Sequence, residues 1–214
     1  MSILDLDAIA ALETRHEPFD FFMGTGALKK DAVAPLHDDF PDIRATGFHP
    51  LEQMQVKGAF AEMIREIESP AFTAAVSKAL SLDLSPYPTL ITVRKISAAH
   101  EGRIHCDSES KIATALIYLN DTWDSPDGRF RVLKNDRDFA DYVAEAAPET
   151  GAIVGFKRAD HSWHGHTPFV GERRVVQIAW VRSQADIDRK KKRHGVSSWF
   201  KRMLGREKAD TGAM

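Results

Sequence analysis

Three residues and an arginine pair stand out, because their side chains could hold a metal ion and an anion. His105 and Asp107 are separated by one residue, His164 lies far downstream, and Arg173 and Arg174 follow it. Two imidazoles and one carboxylate form the ligand set that binds non-haem Fe(II) and leaves open positions for reactants. A guanidinium is a planar donor suited to a carboxylate. The set predicts an iron site that uses a 2-oxo acid as co-substrate.

The His-x-Asp motif is weak evidence by itself, because short motifs recur by chance. The chain holds a second copy at His37 and Asp39, between Pro35 and Pro41. Flanking prolines predict a loop for this second copy rather than a metal site.

The copy at His105 and Asp107 has a different context. It lies between two runs typical of strands, Thr89–Ile96 and Ile112–Leu119. On a strand, residues i and i+2 point to the same face. The pattern therefore predicts that both side chains reach one metal while Cys106 points away.

Composition and charge narrow the class of protein. The 214 residues carry a formal net charge of −2 and one cysteine, so nothing indicates a nucleic-acid partner. One cysteine excludes an internal disulfide and favours a reducing cytoplasm. The N-terminus lacks the basic region and apolar core of a signal peptide. No stretch approaches the ~20 apolar residues of a transmembrane helix. We expect a cytoplasmic protein.

The chain divides into three regions that differ in hydrophobic periodicity and residue composition. Residues 1–87 are predicted to form a helical support region, with apolar faces at helical spacing. Residues 88–183 contain short runs rich in β-branched and aromatic residues, separated by turns, which indicates a sandwich or jelly roll. A short helix is expected over Asp136–Ala147. The predicted helices are Leu4–Leu12, Leu51–Ile67 and Ala71–Leu80, and the predicted strands are Thr89–Ile96, Ile112–Leu119, Phe130–Leu133, Ala152–Phe156 and Val175–Val181.

Residues 184–214 form a basic, partly helical tail, with nine Lys or Arg against four Asp or Glu. An apolar stripe runs through it at Trp199, Phe200, Met203 and Leu204. We expect the tail to pack on the β region or to be disordered. A less favoured alternative is docking onto a partner or an anionic surface.

The motif-bearing stretches occur in a specific order. They are His105-Cys106-Asp107, Tyr118-Leu119-Asn120 with Trp123, Gly128-Arg129-Phe130, Pro148-Glu149-Thr150-Gly151 leading to Phe156, His164, and Gly171-Glu172-Arg173-Arg174 leading to Trp180. With this order and spacing, the region 88–183 resembles the prolyl-hydroxylase-like group of Fe(II)/2-oxoglutarate-dependent dioxygenases. The resemblance does not cover the first 80 residues or the tail.

The resemblance implies a fold and a reaction. The implied fold is α+β with a mainly β core, a double-stranded β-helix of jelly-roll or cupin-like type, with N-terminal helices packed outside. The implied cofactor is Fe(II), with 2-oxoglutarate and O2 as co-substrates and ascorbate as a reductant. The implied reaction hydroxylates a protein side chain such as proline, or a free amino acid, and releases succinate and CO2. The substrate is then a peptide or a small molecule.

The resemblance also assigns the metal ligands to His105, Asp107 and His164. Three histidines compete for the distal position, and the spacing from Phe156 favours His164. His166 comes next, because it shares strand parity with His164, whereas His161 is expected in a loop.

Either arginine of the pair could bind the far carboxylate of 2-oxoglutarate. Trp180 lies six residues beyond Arg174, the spacing that is usual in the family, and this favours Arg174. Strand alternation would instead place Gln177 beside Arg173, so Arg173 remains open. Tyr118 matches the family position whose phenol hydrogen-bonds the same carboxylate.

Two other functions compete with the oxygenase. One is a cupin-like metal enzyme that does not use 2-oxoglutarate, and this enzyme would not need the arginine. The other is a non-catalytic β-helix binding module, against which the complete metal triad argues.

Overall fold

The computed structural model describes residues 2–189, so most of the predicted basic tail, including its apolar stripe, lies outside the described residues. The described part contains four α-helices before the last strand, nine β-strands, and a helical segment at 184–189. The helices are α1 (Leu6–Ala10), α2 (Val33–Asp38), α3 (Gly58–Ile67) and α4 (Pro70–Ala79). The strands are β1 (Phe21–Gly24), β2 (His49–Pro50), β3 (Thr89–Ser97), β4 (Lys111–Tyr118), β5 (Phe130–Leu133), β6 (Tyr142–Ala146), β7 (Ile153–Lys157), β8 (His164–His166) and β9 (Gly171–Val181).

The strands form two antiparallel sheets that face each other. The major sheet has the order β1-β7-β4-β9-β3-β2, and the minor sheet has the order β6-β5-β8. Apolar side chains of both sheets pack in one cluster, in which Leu116, Tyr118 and Val154 of the major sheet meet Phe130 and Val132 of the minor sheet. This arrangement is a double-stranded β-helix, as the sequence predicted.

Strand alternation gives the major sheet two different faces. Along β9, Val176, Ile178 and Trp180 belong to the larger apolar cluster, which also contains the helices. Val175 on the same strand belongs instead to the cluster between the two sheets. Odd-numbered residues of this part of β9 therefore point into the β-helix, and even-numbered residues point to its outer face.

Helices α3 and α4 cover the outer face. Ser69 caps α4 by accepting a hydrogen bond from the Phe72 backbone N–H, and Pro70 stands in the first turn, where its missing N–H costs nothing. Phe72 is fully buried, and its ring stacks on Trp180 of β9 with centroids 6.1 Å apart. The N-terminal helices thus pack outside the β-helix, as expected.

The predicted helix over Asp136–Ala147 is wrong. This segment starts as a turn, in which Asn135 Oδ1 accepts hydrogen bonds from the backbone N–H groups of Arg137 and Asp138. It then continues as strand β6, which pairs with β5. The side chain of Asn135 competes with helical backbone hydrogen bonding. The sheet edge at β5 provides backbone hydrogen-bond partners for a strand instead.

Two other local predictions also need correction. The segment around His37 is not a loop, because α2 runs through it and Pro35 lies within the first helical turn, where proline is tolerated. The predicted helix Leu51–Ile67 begins only at Gly58. This glycine has φ +49°, which strains other residues, and a Cβ there would lie 2.0 Å from Asp39 Oδ2, so the position favours glycine.

The N-terminal region contributes more than helices. Strands β1 and β2 extend the major sheet at its two edges by pairing with β7 and β3, and neither strand was expected. At the other end, the helical segment 184–189 buries Ile187 against Leu90 and Val181. None of the described helices has the length and apolar character needed to cross a membrane.

The contact between α4 and the sheet yields a stability prediction. Phe72→Ala would remove a fully buried ring from the stack on Trp180, and such a truncation costs about 3–5 kcal/mol of unfolding free energy. Denaturant unfolding followed by circular dichroism measures this loss. Lys78→Ala on the exposed side of the same helix is the control, with an expected change within about 0.5 kcal/mol. Equal losses in both variants would contradict the packing of α4 on the sheet.

Candidate active site

A single backbone bridge brings the two predicted histidine ligands together. His105 N donates to His164 O at 2.9 Å, and His164 N donates to His105 O at 3.0 Å. This reciprocal pair places the two side chains next to each other, with ring centroids 4.5 Å apart. His105 belongs to the connection between β3 and β4, whereas His164 begins β8 in the opposite sheet.

Asp107 completes a cluster with the two histidines. One potential ligand atom from each of the three residues lies within 4.8 Å of the others. Two donors at about 2.1 Å from one ion are at most about 4.2 Å apart, so the cluster is close to the spacing that a shared ion needs. Within residues 2–189, this is the one such cluster of three or more His, Cys, Asp or Glu residues.

Hydrogen bonds orient both imidazoles. His105 Nδ1 lies 3.2 Å from Arg103 O, and His164 Nδ1 lies 2.8 Å from Ser162 O. A ring that donates through Nδ1 to a carbonyl keeps its Nε2 lone pair free for a metal. Burial lowers the pKa of His164 to about 4, against the opposing effect of Asp107, so this imidazole is neutral at neutral pH.

Asp107 is held as a carboxylate by two donors. Burial alone would raise its pKa, but Lys111, His164 and Thr114 outweigh burial and hold the pKa well below its usual value. Lys111 Nζ donates to Oδ1 and Thr114 Oγ1 donates to Oδ2, each at 2.6 Å. Two oriented imidazoles and one ionised carboxylate fit the donor set for Fe(II).

The same cavity contains a buried arginine and a buried tyrosine. Arg173 and Tyr118 line it together with His105 and His164. Arg173 is 2% exposed, its Nε donates to Gly128 O at 2.8 Å, and its Nη2 donates to Tyr118 Oη at 3.4 Å. Burial raises the pKa of Tyr118, so the phenol stays protonated and can donate a hydrogen bond.

The arginine pair is divided between the two faces of β9. Arg173 points into the cavity, whereas Arg174 lies over the ring of Phe40 at 5.2 Å and pairs with Glu172. This placement favours Arg173, rather than the preferred Arg174, as the arginine that faces the cavity. Strand alternation, with Gln177 also lining the cavity, is the physical reason.

The remaining histidines of the motif have different positions. His161 is exposed in the turn before β8. His166 is buried and lines the cavity, where its Nε2 lies 3.3 Å from Arg94 Nη1 and its Nδ1 lies 2.8 Å from Thr167 O. Burial, with Arg173 and Arg94 as further causes, lowers the pKa of His166 to about 3.

The sequence analysis missed four polar residues of the site. Lys111 and Thr114 hold Asp107, and Arg94 and Glu101 line the cavity. Arg94 could have been noticed, because it follows the apolar and β-branched run Leu90–Val93 inside a predicted strand. A charged side chain in such a run needs a partner or a ligand.

Comparisons with known proteins agree with this geometry. The family model described as "2OG-Fe(II) oxygenase superfamily" matches residues 91–182, which include all three candidate metal ligands, Tyr118 and both arginines. No curated protein matches the sequence.

The fold is similar to two solved prolyl 4-hydroxylases. The enzyme from Pseudomonas putida is 17% identical, with a TM-score of 0.53 over 83% of this chain and 97% of that chain. The enzyme from Phytophthora capsici is 16% identical, with a TM-score of 0.51 over 78% of this chain and 65% of that chain. At this identity the likeness shows the fold. The family model thus identifies residues 91–182 as a 2OG-Fe(II) oxygenase domain, which indicates an Fe(II)- and 2-oxoglutarate-dependent dioxygenase.

Proposed function

We propose that His105, Asp107 and His164 hold the iron and that Arg173 and Tyr118 bind 2-oxoglutarate. The observation that carries the proposal is that both groups of residues line or adjoin one cavity. A metal enzyme that does not use 2-oxoglutarate would not need a buried guanidinium there. A binding module would not need three oriented metal ligands.

Each of these residues has a distinct task. The bound iron and 2-oxoglutarate supply an oxidative decarboxylation that yields succinate and CO2 and places one oxygen atom of O2 in a substrate C–H bond. Lys111 and Thr114 keep Asp107 ionised and fixed. The carbonyls of Arg103 and Ser162 keep the imidazoles turned toward the ion. The apolar wall of Phe130 and Phe156 excludes water.

Arg173 is suited to a carboxylate because it lacks an acidic partner of its own among the described residues. Its hydrogen bonds go to a carbonyl and to the phenol of Tyr118, and both of these partners are uncharged. A carboxylate could accept from the guanidinium and from the phenol at once, and charge-assisted contacts of this kind are about twice as strong as neutral ones.

The substrate we propose is a protein side chain such as proline, or a free amino acid. The support is the fold similarity to two enzymes named prolyl 4-hydroxylases. A cytoplasmic location and ascorbate as reductant remain predictions from the sequence.

The proposed activity is tested by substrate-stimulated succinate release. Protein loaded anaerobically with Fe(II) is given O2, 2-oxoglutarate, ascorbate and a panel of proline-containing peptides and amino acids. We expect succinate release to rise with a hydroxylated product, detected by a 16 Da mass increase for one added oxygen. An activity that does not depend on any 2-oxo acid would refute the proposed function. Assays with and without ascorbate test the reductant.

His164→Ala should lose Fe(II) binding, because it removes one of three protein ligands. Substitution of residues that only orient ligands already costs about 10–100-fold in metal affinity, so loss of a ligand should exceed a hundredfold. Anaerobic calorimetric titration with Fe(II) measures the change. His161→Ala is the control, since this side chain is exposed in the turn before β8. If His166→Ala loses the metal and His164→Ala keeps it, the ligand assignment is wrong.

Arg173→Gln should weaken 2-oxoglutarate binding about ten- to hundredfold, or about 1.5–3 kcal/mol, because a charge-assisted contact is lost. Arg174→Gln is the matched control, since it removes the same charge from the opposite face of β9 and should change the affinity less than about threefold. The Kd for 2-oxoglutarate is measured with Mn(II) in place of Fe(II), so that no turnover occurs. A larger effect at Arg174 would return the role to that residue.

A further inference from the structure

A second buried arginine lines the active-site cavity and has no task in the proposed reaction. Arg94 is 6% exposed and extends from β3 beside His166, Arg173 and Tyr118. Desolvation by burial, followed by repulsion from Arg173, lowers its pKa to about 10, so it remains a cation at neutral pH. Two guanidinium groups therefore face one small cavity.

The contacts of Arg94 leave much of its hydrogen-bonding capacity unused. Nη1 lies 3.3 Å from His166 Nε2, and Nη2 lies 3.8 Å from Glu101 Oε1, which is beyond hydrogen-bonding distance. The buried Nε has no hydrogen-bond partner. Glu101 is itself engaged by the Ala98 N–H through its other oxygen, at 2.8 Å. A guanidinium has five N–H donors, so this group is incompletely satisfied.

The neighbours of the Arg94 guanidinium hold it in an orientation that suits a ligand lying in its plane. Phe48 lies under it, with 4.1 Å between Arg94 Cζ and the ring centroid. Stacking covers one face of a guanidinium and leaves its edge free for a planar acceptor such as a carboxylate. His166, which is bound through Nδ1 to Thr167 O, can accept from Arg94 through Nε2 and hold this plane in position.

The charge balance of the cavity points to an additional anion. Lys111 offsets Asp107, and Glu101 offsets one of the two arginines, so these five side chains together leave one positive charge. Fe(II) would add two positive charges and 2-oxoglutarate two negative ones. One positive charge then remains in a buried site, where an unpaired charge is costly.

We propose that Arg94, positioned by His166 and Phe48, binds a carboxylate of the substrate. The enzyme then hydroxylates a free amino acid, or the C-terminal residue of a peptide, rather than an internal residue. This inference rests on the proposed function for the iron and 2-oxoglutarate. It assigns Arg173 to the co-substrate and Arg94 to the substrate.

The test is a binding comparison that needs no turnover. The probes are the twenty L-amino acids and the twenty glycyl dipeptides ending in them, each beside its C-terminal amide. Binding to the Mn(II)- and 2-oxoglutarate-loaded protein is screened by thermal shift and quantified by calorimetry. We expect at least one acid to bind ten- to hundredfold more tightly than its amide, the range for one charge-assisted contact.

Three variants locate the effect. Arg94→Gln should abolish the preference for the acid and leave the Kd for 2-oxoglutarate within about threefold, whereas Arg94→Lys should keep part of the preference because it keeps the charge. Lys95→Gln, which removes a charge from the next, partly exposed position of β3, should change neither. Melting temperatures show that each variant is folded.

Several outcomes overturn the inference. Acids and amides that bind equally well, or not at all, exclude a substrate carboxylate. A loss of 2-oxoglutarate affinity in Arg94→Gln that matches the loss in Arg173→Gln makes Arg94 part of the co-substrate site. Failure of the unaltered protein to bind 2-oxoglutarate refutes the proposed function instead. In that event, an acid preference that still depends on Arg94 would leave the anion site standing.

Discussion

The reciprocal backbone hydrogen bonds between His105 and His164 are the contact on which the site depends. They join the connection between β3 and β4 to the first residue of β8, and these belong to opposite sheets of the β-helix. Without this bridge the two imidazoles would belong to separate segments, and Asp107, two residues beyond His105, would lack the distal histidine as a fellow ligand. A main-chain contact is well suited to this task, because its geometry does not depend on the side chains that must remain free for the metal.

Alternation along a strand decides which side chains can take part in the chemistry. Arg173 and Arg174 are neighbours in the sequence, yet one faces the cavity and the other faces Phe40 on the outer side. Family spacing to Trp180 favoured Arg174 as the carboxylate-binding residue, whereas parity with Gln177 indicated Arg173, which is the arginine that lines the cavity. A shift of one residue is absorbed in a loop without consequence, but in a strand it exchanges the two faces. Parity is therefore the stronger argument when two adjacent residues compete.

Much of the fold could be predicted because its signals are local. Runs of β-branched residues gave strands such as Phe130–Leu133, and apolar residues at helical spacing gave α4 with bounds shifted by one residue. The strand β6 could not be predicted in this way, because its residues have a helical composition and become a strand by pairing with β5. Edge pairing of this kind is a property of the assembled sheet rather than of the segment.

The residues of the candidate site also divide into those that a sequence pattern identifies and those that only tertiary contacts reveal. The ligand motif was visible through its position between two predicted strands and the order of the stretches that follow it, and Tyr118 was visible through its neighbours. Lys111 and Thr114 could not be identified from the sequence. Their role is to donate hydrogen bonds to Asp107 from the first half of β4, which only the folded chain shows. No sequence pattern identifies Glu101 either, because it lies in a turn and its contact with Arg94 is a tertiary one.

The two faces of the major sheet have different roles: the outer face packs against the helices, and the inner face carries residues of the candidate site. Its outer face, where Trp180 meets Phe72, belongs to the large apolar cluster shared with the helices. Its inner face carries Arg94, Arg173 and the Thr114 that holds Asp107, in surroundings where isolated charge is unfavourable. Because both faces belong to the same strands, apolar burial on one side offsets the cost of positioning buried cations on the other. Such a cavity is most stable when anions fill it, so binding of its ligands and stability of the fold are thermodynamically linked.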